Sequence, residues 1–378
     1  MRIGIIYETT YPEFKGGVER WFSQLARGLS ENSIQVVYLN SIGKITSEKN
    51  LNYEVLEYSK SAFHRTGERS SQNVISFAIS VFKSLRKNDF EVLYLSAFPF
   101  LHIWAAKIIR TLFKKKYEIY VEWFELPSLK FWKDEFGSFL GVLGYLVQQK
   151  SVRMSDVNVS YLTSTTKQLS GIMRPTQETL ELPGICMDED FYPIPEVKVE
   201  KIDVCQIGRL TKDKQPILSL QAIKALRDSG WKGNFHLLGS GPLVRDVSSF
   251  VKDNKMGEYV TIHGDASEET RKEILSRSAV LLHPSKREGF GLAIVEAAAV
   301  GVPAILIQSE NNKSTELGIN PTLISHSNNA EELTSLLRHA LEFKNQLSSE
   351  CLLWNKQVRP RIRAADSISM LSNHFNSR

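Results

Sequence analysis

The chain has 378 residues, 42% of them hydrophobic and 24% charged, which leaves room for two domains with separate cores and matches a soluble globular protein. Three distant cysteines (Cys186, Cys205, Cys351) exclude a disulfide framework, and the scattered histidines exclude a zinc site built on close His spacing. The longest apolar runs, 98–106 and 139–147, are too short to span a bilayer, and the opening MRIGIIYETT turns polar too soon for a signal peptide.

Residues 2–7 read as an apolar strand. A polar loop follows to Gly16 and Gly17, then an amphipathic helix carrying Trp21, Phe22, Leu25, Ala26 and Leu29. Strand, glycine turn and helix open a doubly wound unit, whose ligand site lies at the strand's carboxyl end. Strands are expected at 35–39, 55–58, 92–96, 118–122 and 156–159, with helices at 72–86, 102–115, 140–154 and 164–172. That alternation predicts a parallel sheet with helices on both faces. The Pro- and Gly-containing run 182–195 reads as a linker. A second alternation follows, with strands near 204–208, 234–238, 260–263, 279–282 and 304–308. Its helices fall at 217–228, 243–252, 268–276 and 331–342. The end, 354–375, reads as one long basic helix.

The stretch 283–303, HPSKREGFGLAIVEAAAVGVP, leaves a buried strand, turns through Gly289 and Gly291 around Phe290, and enters a helix near Leu292. Glycines let backbone approach a ligand, and the first helical N–H groups lack intrahelical partners. Such a terminus suits an anion or a cluster of hydroxyl oxygens. Glu288 precedes the helix. Glu296 lies about a turn inside it among Ile294, Val295 and alanines, where a carboxylate is costly unless something binds it. Upstream, Arg209 and Lys214 sit in a turn at a strand end. Alone they read as solvated surface cations. Beside the glutamates they read as phosphate ligands, Arg by two oxygens at once and Lys as a point charge.

The pattern E-G-F-G-L-x-x-x-E (Glu288, Gly289, Phe290, Gly291, Leu292, Glu296), the alanine-rich helix and the exit Gly301-Val302-Pro303 resemble the donor site of the family-four retaining glycosyltransferases. The segment from Gly208 to Lys214 is similar to that family's G-R-x-x-x-x-K. The resemblance covers nearly the whole chain and implies a GT-B fold: two Rossmann-like doubly wound parallel-sheet domains facing across a cleft, with a C-terminal helix returning to the first. It divides the chain into 1–193 plus 354–378, which would bind the acceptor, and 194–353, which would bind the nucleotide sugar. By this resemblance Glu288 meets the transferred sugar, helped by the backbone of 290–292. Glu296 holds the ribose, and Arg209 and Lys214 hold the diphosphate, which Gly16 and Gly17 face. Backbone at Gly264 and 239–242 edges the base. The implied chemistry is retaining transfer from a UDP- or GDP-linked sugar to an acceptor hydroxyl, with no cofactor and no metal.

Two departures stand out. Gln215 and Pro216 follow Lys214 where the family has glycine. Phe124, in Glu122-Trp123-Phe124-Glu125, stands where the family has a histidine near the sugar, and these residues form the acceptor side. Asp188-Glu189-Asp190 matches a metal-binding D-x-D but follows no buried strand, so no metal site is expected there. Residues 60–116 hold eleven Lys or Arg against three Asp or Glu. Within them Trp104 to Lys116 reads as a basic helix with interleaved aromatics, able to dock on anionic lipid or to serve as an ordinary solvated helix. Nucleic acid binding has no motif to support it. The expected acceptor is a lipid-linked or membrane-bound glycan at the cytoplasmic face of the membrane, with a soluble acceptor as the competing reading. The rival from another class is a catalytically inactive nucleotide-sugar-binding or membrane scaffold protein.

Overall fold

The computed structural model describes residues 1–9, 11, 16–40, 52–57, 71–187 and 201–378. It divides into Met1–Ile185 with Ile362–Arg378, and Cys186–Arg361. The D-x-D at 188–190, most of the expected linker, Tyr58 and the basic residues at 60–70 lie outside the described residues.

The first unit holds seven strands: β1 Arg2–Ile6, β2 Gln35–Asn40, β3 Glu54–Glu57, β4 Val92–Ser96, β5 Glu118–Glu122, β6 Val157–Ser160 and β7 Glu178–Glu181. All pair in parallel in the order β3-β2-β1-β4-β5-β6-β7. The inner strands β1, β2 and β4 are near-continuous apolar runs because both faces are covered. Helices α1 Gly17–Glu31, α2 Ser71–Lys87, α3 Leu101–Leu112, α4 Leu129–Phe136, α5 Ser138–Val152 and α6 Thr163–Ser170 connect them. One core gathers Phe77, Leu93, Ile103, Val121, Trp123 and Trp132 beneath α2 to α5. The order reverses between β1 and β4, and the Gly16 turn leaves β1 at that switch point.

The second unit repeats the plan with β8 Asp203–Ile207, β9 Phe235–Leu238, β10 Val260–Gly264, β11 Ser278–His283, β13 Ala304–Ile307 and β15 Ile324–Ser325, in the order β10-β9-β8-β11-β13-β15. A two-residue ladder, β12 Arg287–Glu288 with β14 Asn311–Asn312, sits beyond the carboxyl edge. Its helices are α7 Pro216–Asp228, α8 Val244–Asp253, α9 Glu268–Arg277, α10 Leu292–Ala299, α11 Ala330–Glu342 and α12 Lys344–Val358. The reversal falls between β8 and β11, the two strands whose ends carry Lys214 and Glu288.

The expected single terminal helix is two helices. Pro360 cannot continue the i to i−4 ladder, so α12 ends at Val358, a 3-10 turn covers Arg359–Arg361, and α13 runs Ala364–Asn376. Trp354 belongs to the second unit, where its Nε1 donates to the Leu317 carbonyl at 2.7 Å. Only α13 joins the first unit. It lies on α1 at Gly28, where a Cβ would stand 2.8 Å from Ile368 Cδ1, and its Phe375 meets the Tyr120 ring edge-on at 5.1 Å.

The basic helix also differs from expectation. Trp104 is half-buried, and its Nε1 donates to Ser151 Oγ at 2.9 Å, so the ring packs against α5. The same segment still exposes Ile108, Leu112 and Phe113, and further exposed apolar side chains, Phe136, Phe139 (81% exposed), Leu140, Leu143 and Leu146, lie on α4 and α5. Among the described residues no helix is long and apolar enough to cross a membrane.

Candidate functional site

In the second unit the turn after β8 and the turn after β11 are laced together. The amide of Lys286 donates to the Asp213 carbonyl at 2.8 Å, and Gln215 Nε2 donates to the Pro284 carbonyl at 2.7 Å. Asn312 Nδ2 closes the arrangement on the carbonyls of Ser285 (3.0 Å) and Ile307 (2.9 Å). Gln215 supports a left-handed backbone (φ 50°) and Pro216 takes the first position of α7, where its missing N–H costs nothing. The turn that departs from the family pattern is therefore built by a different pair of residues.

These contacts bring Lys214 and Glu288 together from 74 residues apart, with Nζ 2.5 Å from Oε2. Lys214 Nζ also meets Ser285 Oγ and the Arg287 carbonyl, each at 3.2 Å. His283, buried at the end of β11, donates through Nε2 to the same Glu288 oxygen at 3.0 Å. Burial pushes the Glu288 carboxyl upward. The Lys214 charge and the His283 hydrogen bond outweigh it and hold the group well below the usual carboxylate range. Glu288 is thus an acceptor at every physiological pH. His283 is the site residue that sequence reasoning missed. Its signal was a strand-end histidine five residues before the first glutamate.

Gly291 stands at the mouth of α10 with φ 85°, and a Cβ there would lie 2.7 Å from Ser314 Cβ and 2.8 Å from Ile294 Cδ1. Only glycine suits both the conformation and the space. The turn leaves Gly289 half-buried and Phe290 buried, and it aims the first amides of α10, from Leu292 onward, past the carboxyl edge. One turn further Glu296, 3% exposed, lies 3.3 Å from Arg271 of α9. Gly264 ends β10 with φ 61°, and its carbonyl accepts from the Gly239 amide at 2.8 Å. Ser240 Oγ donates to Asp265 Oδ1 at 2.7 Å, tying the two neighbouring turns. Arg209 is exposed on the turn that carries Lys214. Among the described residues no three His, Cys, Asp or Glu side chains are arranged to hold a metal ion.

The first unit carries its own polar nest at the carboxyl edge. Gly16 caps α1, Gly17 is its first residue, and Glu19 accepts from Thr9 Oγ1 at 2.9 Å. Trp21 of α1 donates through Nε1 to Glu122 Oε1 at 2.7 Å, and the Tyr161 hydroxyl donates to the same oxygen at 2.5 Å. Glu122 is fully buried, so it acts from beneath the surface, on α1 and on Tyr161. Burial lifts its carboxyl to about 7 against the lowering hydrogen bonds of Tyr161, Tyr94 and Trp21. Phe124, half-buried, stacks on the Tyr161 ring at 5.4 Å. Glu125 follows, also half-buried.

Residues 188–351 match the model of the family described as "Glycosyl transferases group 1", and 1–91 match a domain of unknown function. An uncharacterized 41.2 kDa protein in the cps region of Klebsiella pneumoniae is 27% identical over 77% of this chain and 81% of its own length. The phosphatidylinositol N-acetylglucosaminyltransferase gpi3 subunit of Schizosaccharomyces pombe is 27% identical over 43% of this chain, a span that is 37% of that subunit. Among solved structures, Anabaena Alr3699/HepE in complex with UDP-glucose aligns over 100% of both chains with a TM-score of 0.74 at 12% identity. The two parallel-sheet units and these likenesses establish the GT-B fold, and the second unit carries the segment that matches the group 1 glycosyl transferase model.

Proposed function

We propose that the protein transfers a sugar from a nucleotide diphosphate sugar to an acceptor hydroxyl with retention at the anomeric carbon and without a metal. The Lys214–Glu288 pair at the β8/β11 switch point carries this reading. It places a cation for the leaving diphosphate beside an ionised carboxylate for the sugar, with α10 amides following. As the anomeric bond breaks, positive charge grows on the ring and negative charge on the phosphate. Fixed cations and amides at that phosphate lower the barrier. Arg209 and Lys214 stabilise the diphosphate. Glu288 orients the sugar with help from the backbone of Gly289, Phe290, Gly291 and Leu292. Glu296 holds the ribose, and Gly264 borders the base. The acceptor hydroxyl attacks from the face the diphosphate leaves, and the phosphate takes its proton.

The acceptor in this proposal is a lipid-linked or membrane-bound glycan in polysaccharide or glycoconjugate synthesis, bound by the first unit at the cytoplasmic face of the membrane. Its support is the exposed apolar face of α4 and α5, with the basic end of α3 (Lys114, Lys115, Lys116) on the same helical layer. The name of the fission-yeast relative points to a lipid acceptor of that kind. The chemistry is tested by following slow donor hydrolysis by proton NMR in EDTA with UDP- and GDP-linked sugars. The first sugar released is expected to keep the donor's anomeric configuration. Release of the opposite anomer, or an absolute need for added metal, contradicts the proposal.

A further inference from the structure

Glu296 sits in α10 among Ile294, Val295 and three alanines, 3% exposed. An ionised carboxylate in such a place needs a compensating charge. The charge comes from another element. Ser267 caps α9 by accepting from the Thr270 amide at 3.2 Å, which starts the helix just past the Gly264 turn. Arg271 lies one turn in, three-quarters buried, with its guanidinium 3.3 Å from Glu296 Oε2. The cation therefore reaches the carboxylate from the turn that borders the expected base, on the same carboxyl edge of the sheet.

We infer that Arg271 is a positioning residue for nucleotide recognition, which holds the Glu296 carboxylate ionised and oriented so that it accepts from the ribose hydroxyls. The inference rests on the reading of Glu296 as the ribose ligand. A guanidinium is a fixed planar fork, whereas an ammonium is a mobile point charge. Arg271 thus sets the direction of the carboxylate as well as its charge. Discrimination for ribose over deoxyribose depends on that direction, because a hydroxyl bonded to a charged acceptor is lost without compensation in a deoxy ligand.

The test is calorimetric titration of the full chain with UDP and GDP and with their 2′-deoxy and 3′-deoxy forms. The wild type is expected to bind the ribonucleotide about tenfold or more tighter than one of the deoxy forms, the worth of one hydrogen bond to a charged group. Arg271→Gln is expected to reduce that ratio to about twofold or less, and Arg271→Lys to restore part of it. A merely structural role would weaken all the nucleotides together and leave the ratio intact. A wild-type ratio in Arg271→Gln overturns the inference, provided that Glu296→Gln has lost it. A ratio kept in Glu296→Gln too overturns the ribose assignment itself. Should Arg271→Gln not fold, Arg271→Lys decides alone, because a wild-type ratio there overturns the orienting role.

Discussion

Lys214→Ala is expected to lower sugar transfer, or donor hydrolysis, roughly 10²–10³-fold in kcat, the usual loss when one preorganised donor to developing negative charge is removed. The variant loses stability as well, because Glu288 keeps its charge in a half-buried site without its nearest cation. With both side chains 18% exposed, water screens part of that penalty, and about 1–3 kcal/mol is the expected cost in urea unfolding. The pairing of Lys214 with Glu288 makes a further distinction available. In the double variant Lys214→Met/Glu288→Gln the uncompensated charge is gone, so stability should return toward wild type while transfer stays lost. A Lys214→Ala variant that keeps full activity would remove the cation from the mechanism. The protein's three acceptors around Nζ (Glu288, Ser285, Arg287) mean that a phosphate oxygen reaches this lysine only in competition with them.

The second large effect concerns Glu122 and pH. Its folded carboxyl titrates near 7 against an ordinary 4.5, so the folded state binds the proton more tightly than the unfolded chain does. The stability tied to that proton is fully present below about 4.5 and is lost as pH rises through 7. The shift corresponds to roughly 3 kcal/mol across that window. Glu122→Gln keeps an oxygen for Trp21 and Tyr161 but cannot ionise. Urea unfolding at pH 5, 6, 7 and 8 should therefore show the variant gaining on wild type with each step upward, and exceeding it at pH 8. Parallel profiles would mean that burial does not raise this carboxyl. The consequence reaches the glycine turn, because Trp21 ties Glu122 to the first turns of α1, which Gly16 caps.

Much of this architecture was legible before the structure because periodicity carries it. The inner parallel strands such as β1, β4 and β11 are near-continuous apolar runs, and α1, α2 and α7 show amphipathic spacing, so their positions follow from burial on one face or two. The stretch from Glu288 to Glu296 was legible for another reason. Glu288, Gly291 and Glu296 lie within nine consecutive residues, and local spacing alone sets them on a turn and a helix. Elements without such a pattern were not legible. The eight-residue α4 buries chiefly Trp132, and β7 is four residues long. Both are held by neighbours rather than by their own periodicity. The break between α12 and α13 turns on the single Pro360 within an otherwise helix-forming run.

Long-range pairings were hidden for the same reason. Trp21 and Glu122 are 101 residues apart, and nothing in either segment announces the other. Arg271 and Glu296 meet only because α9 and α10 lie on one carboxyl edge. Trp104 read as an exposed aromatic in a basic helix. Its burial depends on Ser151 of α5, 47 residues on.

The central claim is a metal-free nucleotide diphosphate sugar site on the second unit, and thermal shift with UDP, GDP and their sugar conjugates in EDTA tests it most directly. The account predicts that one nucleotide series raises the melting temperature of the wild-type protein with EDTA present, and that the shift disappears in Arg209→Ala and in Glu296→Ala. No shift with any of these nucleotides, or a shift that only added divalent metal restores, would contradict it.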